Sequence, residues 1–305
     1  AKVKVGGISP TLMPEAYARE PCEVHIGKHA EAEKYPLDYS GLGFEPEYSM
    51  SKITDGCIRR CKFCAVPTLE PEYIERSTWK EDILPSTKYV VFSDNNYTAR
   101  PLEKMREDAE YFEWLTKVTQ NRHIDFNQAL DCRIVTDEMA DILAGMPIKP
   151  YRFSYDGKQE DGFIDDTVTK LAERGKKDFT VFMLYNFTDT IEYTYERMRF
   201  LVGLAESRDV NIAIYPMRYQ PFEQIDEQRE YVGKHWTAAA KKAFMAGLNN
   251  HSLYGQFSFS SMEHFEYWFT DSPEKFKALL HYPKAGQLFS RKKASLRQQR
   301  LQEAT

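Results

Sequence analysis

The sequence predicts an α/β chain whose main body is a partial (β/α)6 barrel, with a short N-terminal segment before it and a helical C-terminal extension after it. From residue 47 onward, short runs rich in β-branched and aromatic residues alternate with amphipathic stretches of helical period, the mark of β-α units around a parallel sheet. Six such units fit before residue 220, fewer than the eight of a closed barrel. Apolar residues make up 42% of the 305, enough to fill a substantial core.

The elements follow in order. A first strand is expected near Tyr48 to Ile53, and a second at Tyr89–Val90–Val91–Phe92, ending in the polar run Ser93–Asp94–Asn95–Asn96. The next helix sets Leu102, Met105, Ala109 and Phe112 on one face at the 3.6-residue period. Ile124 to Leu130 reads as the third strand; Thr136 then caps a helix that turns Met139, Ile142 and Leu143 inward and stops at Gly145. Tyr151 to Tyr155 is the fourth strand, followed by a helix with Val168 and Leu171 that ends at Gly175. The fifth strand is Phe179 to Tyr185, and its helix aligns Ile191, Tyr195, Met198, Val202 and Ala205. The sixth is Val210 to Tyr215, running into Pro216–Met217–Arg218.

Residues 1–46 hold one strand-like run, Val3 to Val5, and are too irregular to form a domain alone. Residues 221–305 read as mostly helical: an Ala-rich helix from about Trp236 to Leu248, another from Pro273 capped by Ser272, and a polar end rich in Lys and Arg. The division is therefore 1–46, 47–220 and 221–305. The aromatic runs Phe257–Ser258–Phe259 and Phe265–Glu266–Tyr267–Trp268–Phe269 are expected to pack in a core rather than to stack bases.

Charge narrows the partners. Forty-one Lys and Arg face 46 Asp and Glu, so the molecule as a whole carries no basic field that would gather nucleic acid unselectively, and any such binding must be local. No apolar stretch approaches the length of a membrane span and no secretory leader is evident, which predicts a cytoplasmic protein. Three of the five cysteines lie within eight residues, a pattern that suits thiolate ligands in a reducing compartment and not a disulfide framework.

The chemistry concentrates in Asp55–Gly56–Cys57–Ile58–Arg59–Arg60–Cys61–Lys62–Phe63–Cys64. Thiolates at this C-x3-C-x2-C spacing can hold three corners of a cuboidal iron–sulfur cluster, leaving one iron open to a further ligand. A zinc site is the other reading, with His29 the nearest candidate for a fourth ligand. Arg59, Arg60 and Lys62 form a solvated face whose charge favours thiolate.

This spacing, with the aromatic Phe63 just before the third cysteine, resembles the signature of the radical S-adenosylmethionine superfamily. The resemblance extends to Gly6–Gly7–Ile8, Met13–Pro14–Glu15 and Ile26–Gly27–Lys28–His29, which look like the end of the domain preceding the barrel in the cobalamin-binding and methylthiotransferase branches. It reaches Asn127 to Arg133 and Leu184 to Thr190 as well. The chain lacks the Asp-x-His-x-x-Gly of cobalamin binding and the additional cysteines of the methylthiotransferases.

The resemblance implies a TIM-type partial barrel, a [4Fe–4S] cluster on Cys57, Cys61 and Cys64, and S-adenosylmethionine on the open iron. One electron would cleave the sulfonium to a 5′-deoxyadenosyl radical that abstracts hydrogen from a substrate the sequence does not identify. It implies a low-potential electron donor such as flavodoxin or ferredoxin as partner, and oxygen sensitivity. Phe63, Asp94, Asn95, Gln128, Asp131 and Arg133 are then candidates for holding S-adenosylmethionine: Asp94 and Asn95 its ammonium, Gln128 its ribose, Arg133 its carboxylate. Tyr155, Asp156, Asn186, Tyr215 and Arg218 end the fourth to sixth strands and are candidate substrate contacts. Cys132 is a candidate hydrogen donor to a product radical, with burial as a small hydrophobe the competing reading. An RNA- or nucleotide-modifying member is the alternative within enzymes; a non-catalytic iron–sulfur or zinc binding module is the alternative outside them.

Overall fold

The computed structural model describes residues 3–120, 123–222, 230–251 and 255–303, in two compact units. The first comprises residues 1–153 and 166–176, the second residues 154–165 and 177–305, so the division falls inside the segment 47–220 rather than at its ends. The architecture is mixed α/β, and the described strands do not close into a barrel.

The first unit opens with β1 (Val3–Val5), α1 (Ile8–Leu12) and β2 (Cys22–Val24); β1 and β2 pair in parallel. Then come β3 (Tyr48–Ser51), β4 (Thr54–Asp55), the short helix α2 (Val66–Leu69), β5 (Ile74–Glu75) and β6 (Tyr89–Phe92). Next are α3 (Leu102–Val118), β7 (His123–Phe126), α4 (Asp137–Gly145) and β8 (Tyr151–Ser154) up to Phe153, and then, from Asp166 onward, α5 (Phe163–Glu173). The parallel sheet β3-β6-β7 buries Phe92 and Phe126 on one face against Phe112 of α3, while Tyr48, Tyr89 and His123 stack across the other. Each fully buried Phe contributes roughly 2–3 kcal/mol of transfer free energy.

Local signals in the sequence translate directly. Thr136 caps α4 by accepting the Met139 N–H, and the helix ends at Gly145 as expected. Two early strands end sooner than expected, and one helix turns a different residue inward. The first strand stops at Ser51, because Ser51 turns its hydroxyl to the Trp79 carbonyl and Ile53 and Thr54 give their N–H groups to Asp94. The third stops at Phe126, since Ala129 adopts a left-handed backbone (φ 76°) and leaves Leu130 only an isolated bridge to Phe153. On α3 the inward position is Asp108 and not the half-buried Ala109, because Arg100 and Tyr97 supply Asp108 with partners.

The second unit holds β9 (Asp178–Tyr185), α6 (Ile191–Arg208), β10 (Asn211–Arg218), α7 (Ala238–His251), β11 (Phe257–Ser258), α8 (Met262–Phe269), α9 (Pro273–His281) and α10 (Ala285–Glu303). β9 and β10 run parallel; β11 joins the far side of β10 antiparallel, at Ala213 and Ile214 only. That brief ladder explains how β10 runs on past Tyr215: Pro216 sits where only one side of the strand is paired. The aromatic runs pack as a core, with Phe257, Phe265 and Phe269 fully buried, and Ser272 caps α9 through the Lys275 N–H. Among the described residues no helix is long and apolar enough to cross a membrane.

Candidate functional site

The cysteines lie on an excursion of the first unit, residues 56–73, closed at its base by the antiparallel pairs Thr54–Glu75 and Asp55–Ile74. Gly56 makes the first turn possible. Its φ is +76°, and a Cβ there would stand 2.1 Å from the Glu72 carbonyl oxygen. Glu70 gathers the loop around its carboxylate: Oε2 accepts from Gly56 N–H at 2.7 Å and from Asn95 Nδ2 at 2.7 Å, and Lys52 pairs with Oε1. Lys52 also lies 3.2 Å from Asp55, which Lys28 of the N-terminal segment reaches too. Burial would raise the Asp55 carboxyl, but the two lysines outweigh it and hold it below the usual carboxylate range.

Asp94 anchors the strand that leads into this excursion. Its Oδ2 accepts from Ile53 N–H at 3.0 Å, and its Oδ1 from Thr54 N–H at 2.7 Å and Thr54 Oγ1 at 2.8 Å. The side chain is buried, and that desolvation pushes its pKa up to about 6. Asp94 thus fixes the end of β6 to the start of β4, and both its oxygens are committed to the chain.

The first cysteine is seated on the ends of β6 and β7. Cys57 Sγ accepts from Arg59 N–H at 3.3 Å and from Asn96 Nδ2 at 3.4 Å. Arg59 then turns back to Asp131, Nε to Oδ2 at 2.9 Å, while Asp131 Oδ1 takes Arg133 Nε at 2.7 Å. Burial works to raise the Asp131 carboxyl, but Arg133 and Arg59 outweigh it and keep it below the ordinary range. Arg59, expected on a solvated face, is therefore a strut between loop and strand end; Arg60 and Lys62 are exposed. This pairing, like the role of Asn96, left no trace in the sequence, because partners 72 and 39 residues apart carry no local pattern.

Phe63, Cys61 and Cys64 are half-buried, and the Cys64 N–H closes a turn on the Cys61 carbonyl at 3.0 Å. Cys132 is buried at 2% exposure, as the small-hydrophobe reading has it. Asn95 and Gln128, together with Lys52, Val66 and Leu69, line a cleft of about 630 Å³ between the excursion and the N-terminal segment. Three thiols on one irregular loop, with two N–H donors already turned to Cys57, suit metal or cluster ligands. Among the described residues no three His, Cys, Asp or Glu side chains converge as a single zinc ion requires. A cuboidal cluster sets each thiolate on its own iron, so its three sulfurs surround one cube but stand farther apart than the ligands of a single ion.

The remaining candidates belong to the second unit. Asn186, fully buried with φ 66°, is a clamp: its amide donates to the Tyr219 and Tyr231 carbonyls and accepts from Gly233 N–H at 2.8 Å. Asp156 accepts from Leu184 N–H at 3.0 Å, and the Tyr155 hydroxyl donates to Asp161 at 2.8 Å. Tyr155 also gives its carbonyl to the buried Arg197 at 2.7 Å. Tyr215 is half-buried edge-on to Phe182, and Arg218 is half-buried at the end of β10.

The chain matches no known protein-family model. Over 93 residues it is 31% identical to the ribosomal protein uS12 methylthiotransferase RimO of Thermosipho africanus, a match spanning 30% of this chain and a fifth (20%) of that protein. Among solved structures it is similar to the radical S-adenosylmethionine methyltransferase TsrM of Kitasatospora setae. One TsrM structure, with cobalamin and a [4Fe–4S] cluster bound, overlaps at a TM-score of 0.43 and 14% identity, covering 64% of this chain and 40% of that one. Another, with tryptophan and a S-adenosylmethionine analogue, overlaps at 0.40 and 16% identity, covering 57% and 35%. The sequence match, taken with the loop that carries Cys57, Cys61 and Cys64, supports a relationship to the radical S-adenosylmethionine superfamily, over a segment that is a fifth of that relative's length.

Proposed function

We propose that this chain is a radical S-adenosylmethionine enzyme on a partial (β/α)6 barrel, in which Cys57, Cys61 and Cys64 hold one [4Fe–4S] cluster with an open iron for the cosubstrate. Such a cluster, bound there and reduced, would supply the electron for splitting S-adenosylmethionine into methionine and a 5′-deoxyadenosyl radical able to take a hydrogen atom from a substrate. The observation that carries this reading is the seating of Cys57 on the strand ends through Asn96, Arg59 and Asp131.

The protein's own part is positioning. Arg133, oriented by Asp131, offers a fixed guanidinium suited to a carboxylate, and Asn95 and Gln128 offer amides from the wall of the cleft. Asp94, with both oxygens engaged, serves in this reading by holding β4 in place rather than by taking the ammonium itself. Tyr215 and Arg218 are the strand-end groups of the second unit best suited to touch a substrate. The exposed Arg60 and Lys62 present positive charge to an acidic electron donor such as a flavodoxin or ferredoxin.

Anaerobic reconstitution with iron and sulfide tests the ligand set. About four irons per chain and a visible absorbance that bleaches on reduction are expected, with both lost in Cys61→Ala. Added S-adenosylmethionine should change the electron paramagnetic resonance spectrum of the reduced cluster, because it ligates the open iron. Zinc bound in place of iron, or a full cluster in Cys61→Ala, would overturn the assignment and favour a binding module.

A further inference from the structure

The side chain of Asn96 is 2% exposed and every polar atom of the residue that the hydrogen-bond pattern reaches is spoken for within one network. Its Nδ2 lies 3.4 Å from Cys57 Sγ and 3.4 Å from Asp131 Oδ2. Thr98 Oγ1 donates to Oδ1 at 3.0 Å, which decides which end of the amide faces the sulfur, and the same Thr98 oxygen accepts the Asp131 N–H at 2.9 Å. The Asn96 carbonyl accepts from the Tyr73 hydroxyl at 3.3 Å, tying the residue to the far end of the cysteine excursion. A small amide at the end of β6 is thus held rigidly, donor side toward one thiol, in a place shielded from water.

We propose that Asn96 is a positioning residue for the cluster corner on Cys57, whose amide, locked by Thr98 and Asp131, donates to the sulfur and raises the cluster's reduction potential. The inference rests on the cluster assignment above. The sign follows from charge: reduction adds an electron that spreads onto the thiolates, and an N–H donor stabilises the more negative state. The donor is itself shielded from water, since Asn96 is buried beside the half-buried Cys57, and a shielded donor acts more strongly on the charge it faces. The Arg59 N–H supplies a second donor to the same atom, but from the backbone, so Asn96 is the contribution a side-chain change can remove.

The test is a redox titration of the reconstituted protein, alongside pulsed electron paramagnetic resonance of protein labelled with ¹⁵N-asparagine. In Asn96→Ala the midpoint is expected to fall by about 59 mV, a tenfold change in a one-electron equilibrium, and the ¹⁵N coupling to the cluster seen in the unaltered protein should vanish. Thr98→Val, which keeps the amide but removes its anchor, should give a smaller shift of the same sign; it serves if Asn96→Ala fails to retain the cluster. An unaltered protein without a cluster would sink the cluster assignment itself. A bound cluster with no ¹⁵N coupling, or with an unchanged midpoint in both variants, would overturn the role of Asn96 and leave the assignment standing.

Discussion

Asp94 shows how a residue can be legible in position and not in role. The sequence places it at the end of the second strand, where an acceptor for an ammonium is expected; the structure gives its oxygens to the backbone of Ile53 and Thr54. Partners 40 and 41 residues away leave no local mark in the sequence, and only the folded chain discloses them. Burial raises its pKa from 3.8 to about 6, so the folded state holds a proton that the unfolded state has released between those values. The stability this group contributes is then fully present below about pH 3.8 and lost as pH rises through about 6, in total about 3 kcal/mol. Urea unfolding of the apoprotein from pH 4 to pH 7 should find the stability gap between the unaltered chain and Asp94→Asn shifting by most of that total, about 2 kcal/mol, with the unaltered chain relatively more stable at the acid end. A gap independent of pH would contradict the assignment.

At the scale of elements, what was readable was what is local. The caps at Thr136 and Ser272 act across three residues, and β6 spans the run Tyr89 to Phe92 with its own residues alternating in burial. The pairings β1 with β2 and β4 with β5 were not readable, because ladders of two or three residues produce no alternation to detect. β3 misleads in another way: its buried face is Ser49 and Ser51, satisfied by Thr87, Trp79 and Asp82, while Tyr48 and Met50 face outward. The excursion closed by β4 and β5 depends on Gly56, where any side chain meets the Glu72 carbonyl. Gly56→Ala should therefore cost upwards of about 2 kcal/mol in the first unit and reduce iron incorporation at least severalfold, read by urea unfolding and iron analysis. Normal iron uptake by that variant would mean the loop can be built another way.

For the whole molecule, the alternation of strands and helices was enough to predict mixed α/β architecture, and the three cysteines are where the sequence puts the chemistry proposed above. The division into two units was not readable, since it runs through the middle of a continuous β-α pattern and composition does not change there. Nor was the network that joins Cys57 to Asn96, Arg59 and Asp131, which draws on residues scattered from 57 to 133. The proposal of reductive cleavage rests on the cysteine loop and this seating of Cys57. It is tested most directly by incubating the reconstituted protein anaerobically with S-adenosylmethionine and dithionite and measuring 5′-deoxyadenosine. Slow formation of 5′-deoxyadenosine together with methionine, absent in Cys61→Ala, is the result expected. A protein with an intact, reducible cluster that binds S-adenosylmethionine and yields no 5′-deoxyadenosine, with chemical reductant or with a flavodoxin system, would contradict it.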